Sequence, residues 1–201
     1  MPVASPRTQA PDTALSPTVS AHATATDPPA SAERLWSAAQ AAGGPLVEPD
    51  PTSPEHRIVT FLWRDATGPA PTPAPEVLLV LDTITDRHRD ALEPAILRPI
   101  GGGLRAVSYR LPHDLRASYA FHVAPTIAPD LGRTREGWKG VLGARVPDPL
   151  NPDRIPAPGD REVSILSLPG ALPQPWRGAR ADATGEVTRH DVPAPTLGDP
   201  R

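Results

Sequence analysis

Cysteine is absent from the 201 residues, which excludes disulfides, thiolate chemistry and cysteine-ligated zinc or iron–sulfur centres. Aromatic residues are scarce, at two Tyr, two Phe and four Trp, so little is available for the paired platforms on which glycan-binding modules stack sugars. An excess of either charge is also lacking: 20 Lys and Arg stand against 23 Asp and Glu, for a net charge of -3. With no basic block, nothing favours nucleic acid or an anionic membrane surface as the partner. No apolar run approaches the length that spans a bilayer. The opening MPVASPRTQAPDTALSPTVSAHATATDPPA has no basic region followed by an apolar one, so it reads as neither signal peptide nor anchor, and a cytoplasmic location fits. Catalytic signatures are missing as well. No G-x-S-x-G segment occurs, and GGG at 101–103 lacks the lysine and helix of a phosphate loop. The six histidines show neither H-x-x-x-H nor H-E-x-x-H spacing, so no metal site and no cofactor are expected.

Proline is abundant instead, 30 residues, or roughly three times the usual share. The Pro/Ala/Thr/Ser composition of residues 1–30 cannot bury enough apolar surface to offset backbone ordering, and predicts a disordered tail. SAERLWSAAQAAGG then predicts a short helix capped by Ser31 and ended by Gly43-Gly44, with Leu35, Trp36 and Ala39 as its apolar stripe. RIVTFLWR at 57–64 predicts a strand buried on both faces, and the apolar run EVLLVLD at 76–82 a central one. Trp138 falls in a Gly-rich loop, DPLNPDR at 148–154 forms turns, EVSILSLP at 162–169 alternates as a strand, and GEVTRHDV at 185–192 is a last weak strand candidate. Several short strands, turns between them and a single helix predict a mostly β chain built as an antiparallel sandwich.

Two constellations carry the chemistry that remains. TDRHRD at 85–90 crowds Asp86, Arg87, His88, Arg89 and Asp90 into one polar loop. It is either an anion-orienting group or a solvated loop held by local Asp–Arg pairs, and composition favours the loop. VSYRLPHDLRASYAFHV at 107–123 predicts two paired strands about a polar turn. Alternation puts Val107, Tyr109 and Leu111 on one face, with Tyr119, Phe121 and Val123 matching them, and leaves Arg110, Arg116 and His122 opposite. The first set reads as core; the basic face reads as a docking surface or simply as the wet side of a sheet.

The segments VTFLWRD, ITDRH, SYRLPHDLRASYAF, DPLNPDR and VSILSLPGALPQPW occur in this order, and together they resemble the N-terminal domain of the enterochelin esterases over about residues 31–190. The resemblance implies an immunoglobulin-like, early-set β-sandwich at 31–178. It further implies that 179–201 is a linker and the start of an α/β-hydrolase domain, whose serine, histidine and acidic residue would hydrolyse siderophore esters. A cut at the domain boundary or a split or truncated gene is favoured over a stand-alone module, and the chain by itself is expected to be inactive. The expected partners are a ferric catecholate siderophore, with iron present only as part of that ligand, and a hydrolase domain in cis or in trans. Because such a complex is strongly anionic, Arg87, His88, Arg110 and Arg116 are the candidate contacts. Trp63, Tyr109, Tyr119 and Phe121 are assigned to the core. The alternatives are a structural docking or dimerisation module that touches no substrate, and a glycan-binding early-set module.

Overall fold

The computed structural model describes residues 12–66, 74–128 and 130–175, together with 188 and 190. The chain divides into two units, Met1–Ala171 and Leu172–Arg201, and every helix and strand described lies in the first. The strand expected at 185–192 falls outside the described residues apart from 188 and 190.

Helices α1 (Pro17–Ala23) and α2 (Pro28–Ala42) come first, so the segment read as an unstructured tail carries ordered elements from residue 12 onward. Each helix places proline in its first turn, where the missing N–H would have had no helical partner anyway. The caps are Ser16, whose hydroxyl accepts from the Val19 N–H, and Asp27, whose carboxylate accepts from the Ala30 N–H. Ser31 is therefore not the cap of α2; it is buried inside that helix, 3.0 Å from the His22 ring. The proline content that suggested disorder marks two helix starts. Gly43, at φ 72°, ends α2 in the left-handed conformation, as expected.

The strands are β1 (Leu46–Pro49), β2 (His56–Arg64), β3 (Glu76–Leu81), β4 (Arg98–Gly101), β5 (Leu104–Pro112), β6 (Arg116–Ala124), β7 (Arg154–Ala157) and β8 (Arg161–Ser167), with α3 (Arg135–Ala144) between β6 and β7. They form two four-stranded antiparallel sheets, β1-β2-β5-β4 and β3-β6-β8-β7, which bears out the antiparallel sandwich. Val59, Phe61, Tyr109 and Leu111 from one sheet meet Leu79, Tyr119, Phe121 and Leu166 from the other in the central core. Helix α2 covers the outer face of the first sheet through Leu35 and Ala39 against Leu62, Leu104 and Ala106. Helix α3 covers the outer face of the second through Trp138 and Val141 against Leu78 and Val80. Among the described residues no helix is long and apolar enough to cross a membrane.

Three expectations are corrected. Strand β3 lies at a sheet edge, not in the centre; its free side is capped by Ile96 opposite Leu78 and by the Leu97 N–H donating to the Val77 carbonyl at 2.8 Å. An apolar run records burial of both faces, which α3 and the central core supply, and says nothing about neighbours along the hydrogen-bonding direction. Trp138 sits on a helix capped by Thr134, not in a loop. The chain accordingly has three α-helices among its described residues where one was expected.

The third correction bears on function. Strands β5 and β6 are not a hydrogen-bonded pair: β5 pairs with β2 and β4, β6 with β3 and β8. The turn between them carries the chain from one sheet to the other. Tyr109, Tyr119 and Phe121 consequently face each other across the core, where Phe61 meets Tyr119 edge-on at 5.1 Å and Tyr109 at 6.4 Å. Arg110 and Arg116 point away from that core on outer faces of different sheets, so they form no common basic surface.

Candidate functional site

A cavity of about 210 Å³ opens where the loop after β3 passes the end of β5. Its polar lining is Arg87, His88, Arg110 and Asp12, and its apolar lining is Ile84 and Pro112, backed by the core residues Tyr109 and Leu111. The loop is tied down by Thr85, which is buried: its hydroxyl donates to the Leu79 carbonyl at 2.9 Å and accepts from the Leu81 N–H at 3.0 Å. A 3-10 turn at Asp86–His88 then presents Arg87 and His88. Thr83, at the rim, holds φ 69°, an uncommon conformation for a β-branched residue that the surrounding contacts must sustain. On the far side of the loop, Gly132 is required by close approach, because a Cβ there would lie 2.1 Å from the Arg89 carbonyl oxygen.

The opposite wall is built from β5 and a segment distant in sequence. The Arg110 N–H donates to the Asp12 carbonyl at 2.8 Å, and the Ala14 N–H donates to the Ser108 carbonyl at 3.0 Å, so residues 12–14 close the β5 edge beyond β4. The Arg110 guanidinium is engaged inside the protein: Nε lies 2.7 Å from Asp50 and 3.7 Å from Asp12, and a terminal nitrogen donates to the Thr52 hydroxyl at 2.7 Å. Asp50 is buried, and its carboxyl is held below the usual carboxylate range, chiefly by the Thr52 backbone N–H, then by the Thr52 hydroxyl, with Arg110 adding to both. Among the described residues neither the Arg87 nor the His88 side chain has a hydrogen-bonding or ionic partner.

Of the four candidate contacts, the fold therefore brings Arg87, His88 and Arg110 to one cavity and leaves Arg116 out. Arg116 lies on the outer face of β6 and donates to the Ser167 hydroxyl at 2.8 Å. Asp12, Asp50 and Thr52 were missed by sequence reasoning, and no local pattern could have found them, since they meet Arg110 only through the packing of distant segments. His122 is buried on the same face of β6 as Arg116. Among the described residues no group of three or more His, Asp or Glu is placed to hold a metal ion.

Two of these groups make the fold acid-sensitive. Burial lowers the pKa of His122 from 6.5, so the unfolded chain takes up that proton first. Its share of stability is complete above about pH 6.5 and falls as the pH drops below that value. The Asp50 contribution is present above 3.8 and is lost as the pH falls through its lower folded value. The melting temperature is expected to decline in two stages when followed by circular dichroism from about pH 8 to pH 3. H122L should remove the upper stage only; retention of that stage would refute the assignment.

Residues 58–177 match the family model described as "Enterochelin esterase, N-terminal". The Iron(III) enterobactin esterase of Escherichia coli is 30% identical over 134 residues, which are 63% of this chain and 34% of that protein. The one from Dickeya dadantii is 29% identical over 166 residues, 75% of this chain and 36% of that protein. The chain thus spans about a third of the length of these relatives. Among solved structures, the ferric enterobactin esterase of Salmonella typhimurium superimposes with a TM-score of 0.57 at 29% identity, covering 71% of this chain and 38% of the other. The enterobactin esterase of Shigella flexneri, crystallised in the presence of enterobactin, gives a TM-score of 0.59 at 28% identity over 76% of this chain and 39% of the other.

Proposed function

The chain belongs to the enterochelin esterase N-terminal family, and from that membership we propose that it serves as the accessory domain of a siderophore esterase. In this reading it helps hold a ferric catecholate complex beside a serine-hydrolase domain, in the cytoplasm, so that ester cleavage can release the iron. The iron is cargo of the ligand. The observation that carries the reading is the family match over 58–177, which extends across the sandwich from β2 to β8. The side chains of this domain bind and orient; nucleophile, base and oxyanion donors would come from the hydrolase domain, whose G-x-S-x-G segment is not in this sequence.

Within the domain, Arg87 and His88 are the groups available to an anion. Arg87 brings a planar guanidinium that can donate two parallel hydrogen bonds to a carboxylate or catecholate, and among the described residues neither side chain is spent on a neighbour. Arg110 plays a different part: R110A would leave the buried Asp50 carboxylate without its guanidinium, so its main effect is on stability. The doubly substituted R87A/H88A chain is expected to bind ferric enterobactin about tenfold more weakly in a fluorescence-quenching titration, the loss of roughly one charge-assisted hydrogen bond. R116A should bind as the wild type does. Undiminished affinity in R87A/H88A would sink the substrate role of this loop.

A structural docking module is the second reading, favoured by Arg110 and Arg116, whose guanidiniums both have partners within the protein. It expects the same substitutions to leave siderophore affinity alone and to change assembly with a hydrolase domain, measured by sedimentation.

A further inference from the structure

The cavity at the end of β5 is small and nearly charge-balanced, and both properties constrain what enters it. A space of about 210 Å³ is larger than the roughly 150 Å³ that admits benzene. It falls below the roughly 300–1,000 Å³ of sites that enclose drug-sized ligands. One six-membered ring with a small substituent fits; a metal complex carrying several rings does not. The apolar surface the cavity offers comes from Ile84 and Pro112, since Tyr109 and Leu111 behind them are buried in the central core.

Charge narrows the choice further. Arg110 is offset by Asp50 and by Asp12, which itself lines the cavity. Arg87 is then the arginine of the lining left to neutralise a ligand, with His88 beside it as a further donor or acceptor. Asp12 would repel a second negative charge. We infer that this cavity is a subsite for a single aromatic ring bearing one carboxylate, held by Arg87 and packed against Ile84 and Pro112. This deepens the siderophore reading and rests on it: the occupant would be a monomeric aryl acid released from the ligand. An acyl arm still joined through its carbonyl has no carboxylate, and the whole ferric complex would meet the exposed Arg87 only at the rim.

The test uses the full chain with benzoate as the probe, followed by ligand-observed NMR and by calorimetry. Saturable binding on the order of 1 mM is expected, the affinity of a small fragment. Benzamide, which keeps the ring and loses the charge, and acetate, which keeps the charge and loses the ring, should each bind at least tenfold more weakly. R87Q should weaken benzoate about tenfold and R87K should recover part of that loss; Arg87 is exposed, so both variants are expected to fold, which circular dichroism checks. D12N should reduce the discrimination against phthalate, which carries a second carboxylate. Benzoate binding unchanged in R87Q, acetate binding as tightly as benzoate, or no saturation at all would each overturn the subsite. Ferric enterobactin, titrated in parallel, separates the two proposals. If the ferric complex binds while benzoate does not, the subsite fails alone; if benzoate binds at Arg87 while the ferric complex does not, the siderophore reading fails and the cavity stands.

Discussion

Replacing Phe61 by alanine is expected to cost about 3–5 kcal/mol of folding stability, the range for deleting a fully buried aromatic ring. Phe61 is 0% exposed at the middle of β2. It meets Tyr119 at 5.1 Å and Tyr109 at 6.4 Å, in both cases edge-on. Those two rings come from strands of different sheets, so Phe61 is where the layers of the sandwich touch. Its neighbours cannot collapse into the space, because Tyr109 is held by its hydrogen bond to Pro94 and Tyr119 by its hydrogen bond to Asp148. The loss would appear in urea denaturation as a lower midpoint with an unchanged slope. F61L, which keeps most of the volume, should retain most of the stability. A cost below about 1 kcal/mol for F61A would mean that the sheets do not pack through this ring.

The second large effect is expected at Asp148. Its carboxylate is 1% exposed and accepts from the Tyr119 hydroxyl at 2.7 Å and from the Leu150 N–H at 2.8 Å. The same network includes Asn151, which donates to the Tyr119 oxygen at 3.0 Å and to the Ile165 carbonyl at 2.8 Å. Asp148 thus joins the DPLNPDR turn to the core end of β6. D148A would strand one buried donor, the Tyr119 hydroxyl, and one partly buried donor, the Leu150 N–H, and about 2–4 kcal/mol is expected from the usual cost of leaving such groups unsatisfied. D148N, which can still accept from Leu150, should lose less. Burial pushes the Asp148 carboxyl above 3.8, so the folded state holds this proton more readily than the unfolded state. That contribution is present below 3.8 and is lost as the pH rises through the folded value. The gap between wild type and D148N should therefore narrow as the pH rises, opposite in sign to the Asp50 effect. A gap independent of pH would show that Asp148 does not titrate in the folded protein.

Much of the core could be read along the chain. Period-two alternation identified Tyr109, Tyr119 and Phe121 as interior, and all three are at most 1% exposed. The stripe Leu35–Trp36–Ala39 packs on a sheet as expected. The order of the five motif segments pointed to the family whose model spans 58–177. Misreadings fell where a local signal has two structural meanings. Proline clusters at 17 and 28–29 suggested disorder and turned out to start helices, because proline is as compatible with a first helical turn as with an extended linker. Glycines around Trp138 suggested a loop, yet Gly140 and Gly143 have open space about their Cβ positions on α3 and are simply tolerated there.

The candidate site was half legible. Arg87 and His88 stood out because they are adjacent polar residues in one short loop, and Arg110 because alternation turned it away from the tyrosines. Sequence reasoning joined Arg110 to Arg116, six positions along, and the structure joins it instead to Asp12, Asp50 and Thr52. The strands alone determined which residues face inward, since a strand's side chains alternate whatever lies beside it. They did not determine which strand lies beside which, because that choice depends on backbone hydrogen bonds and on the packing of whole faces between distant segments. Only the tertiary structure sent β5 and β6 into different sheets, parted Arg110 from Arg116, and set Arg87 opposite the apolar wall of a cavity.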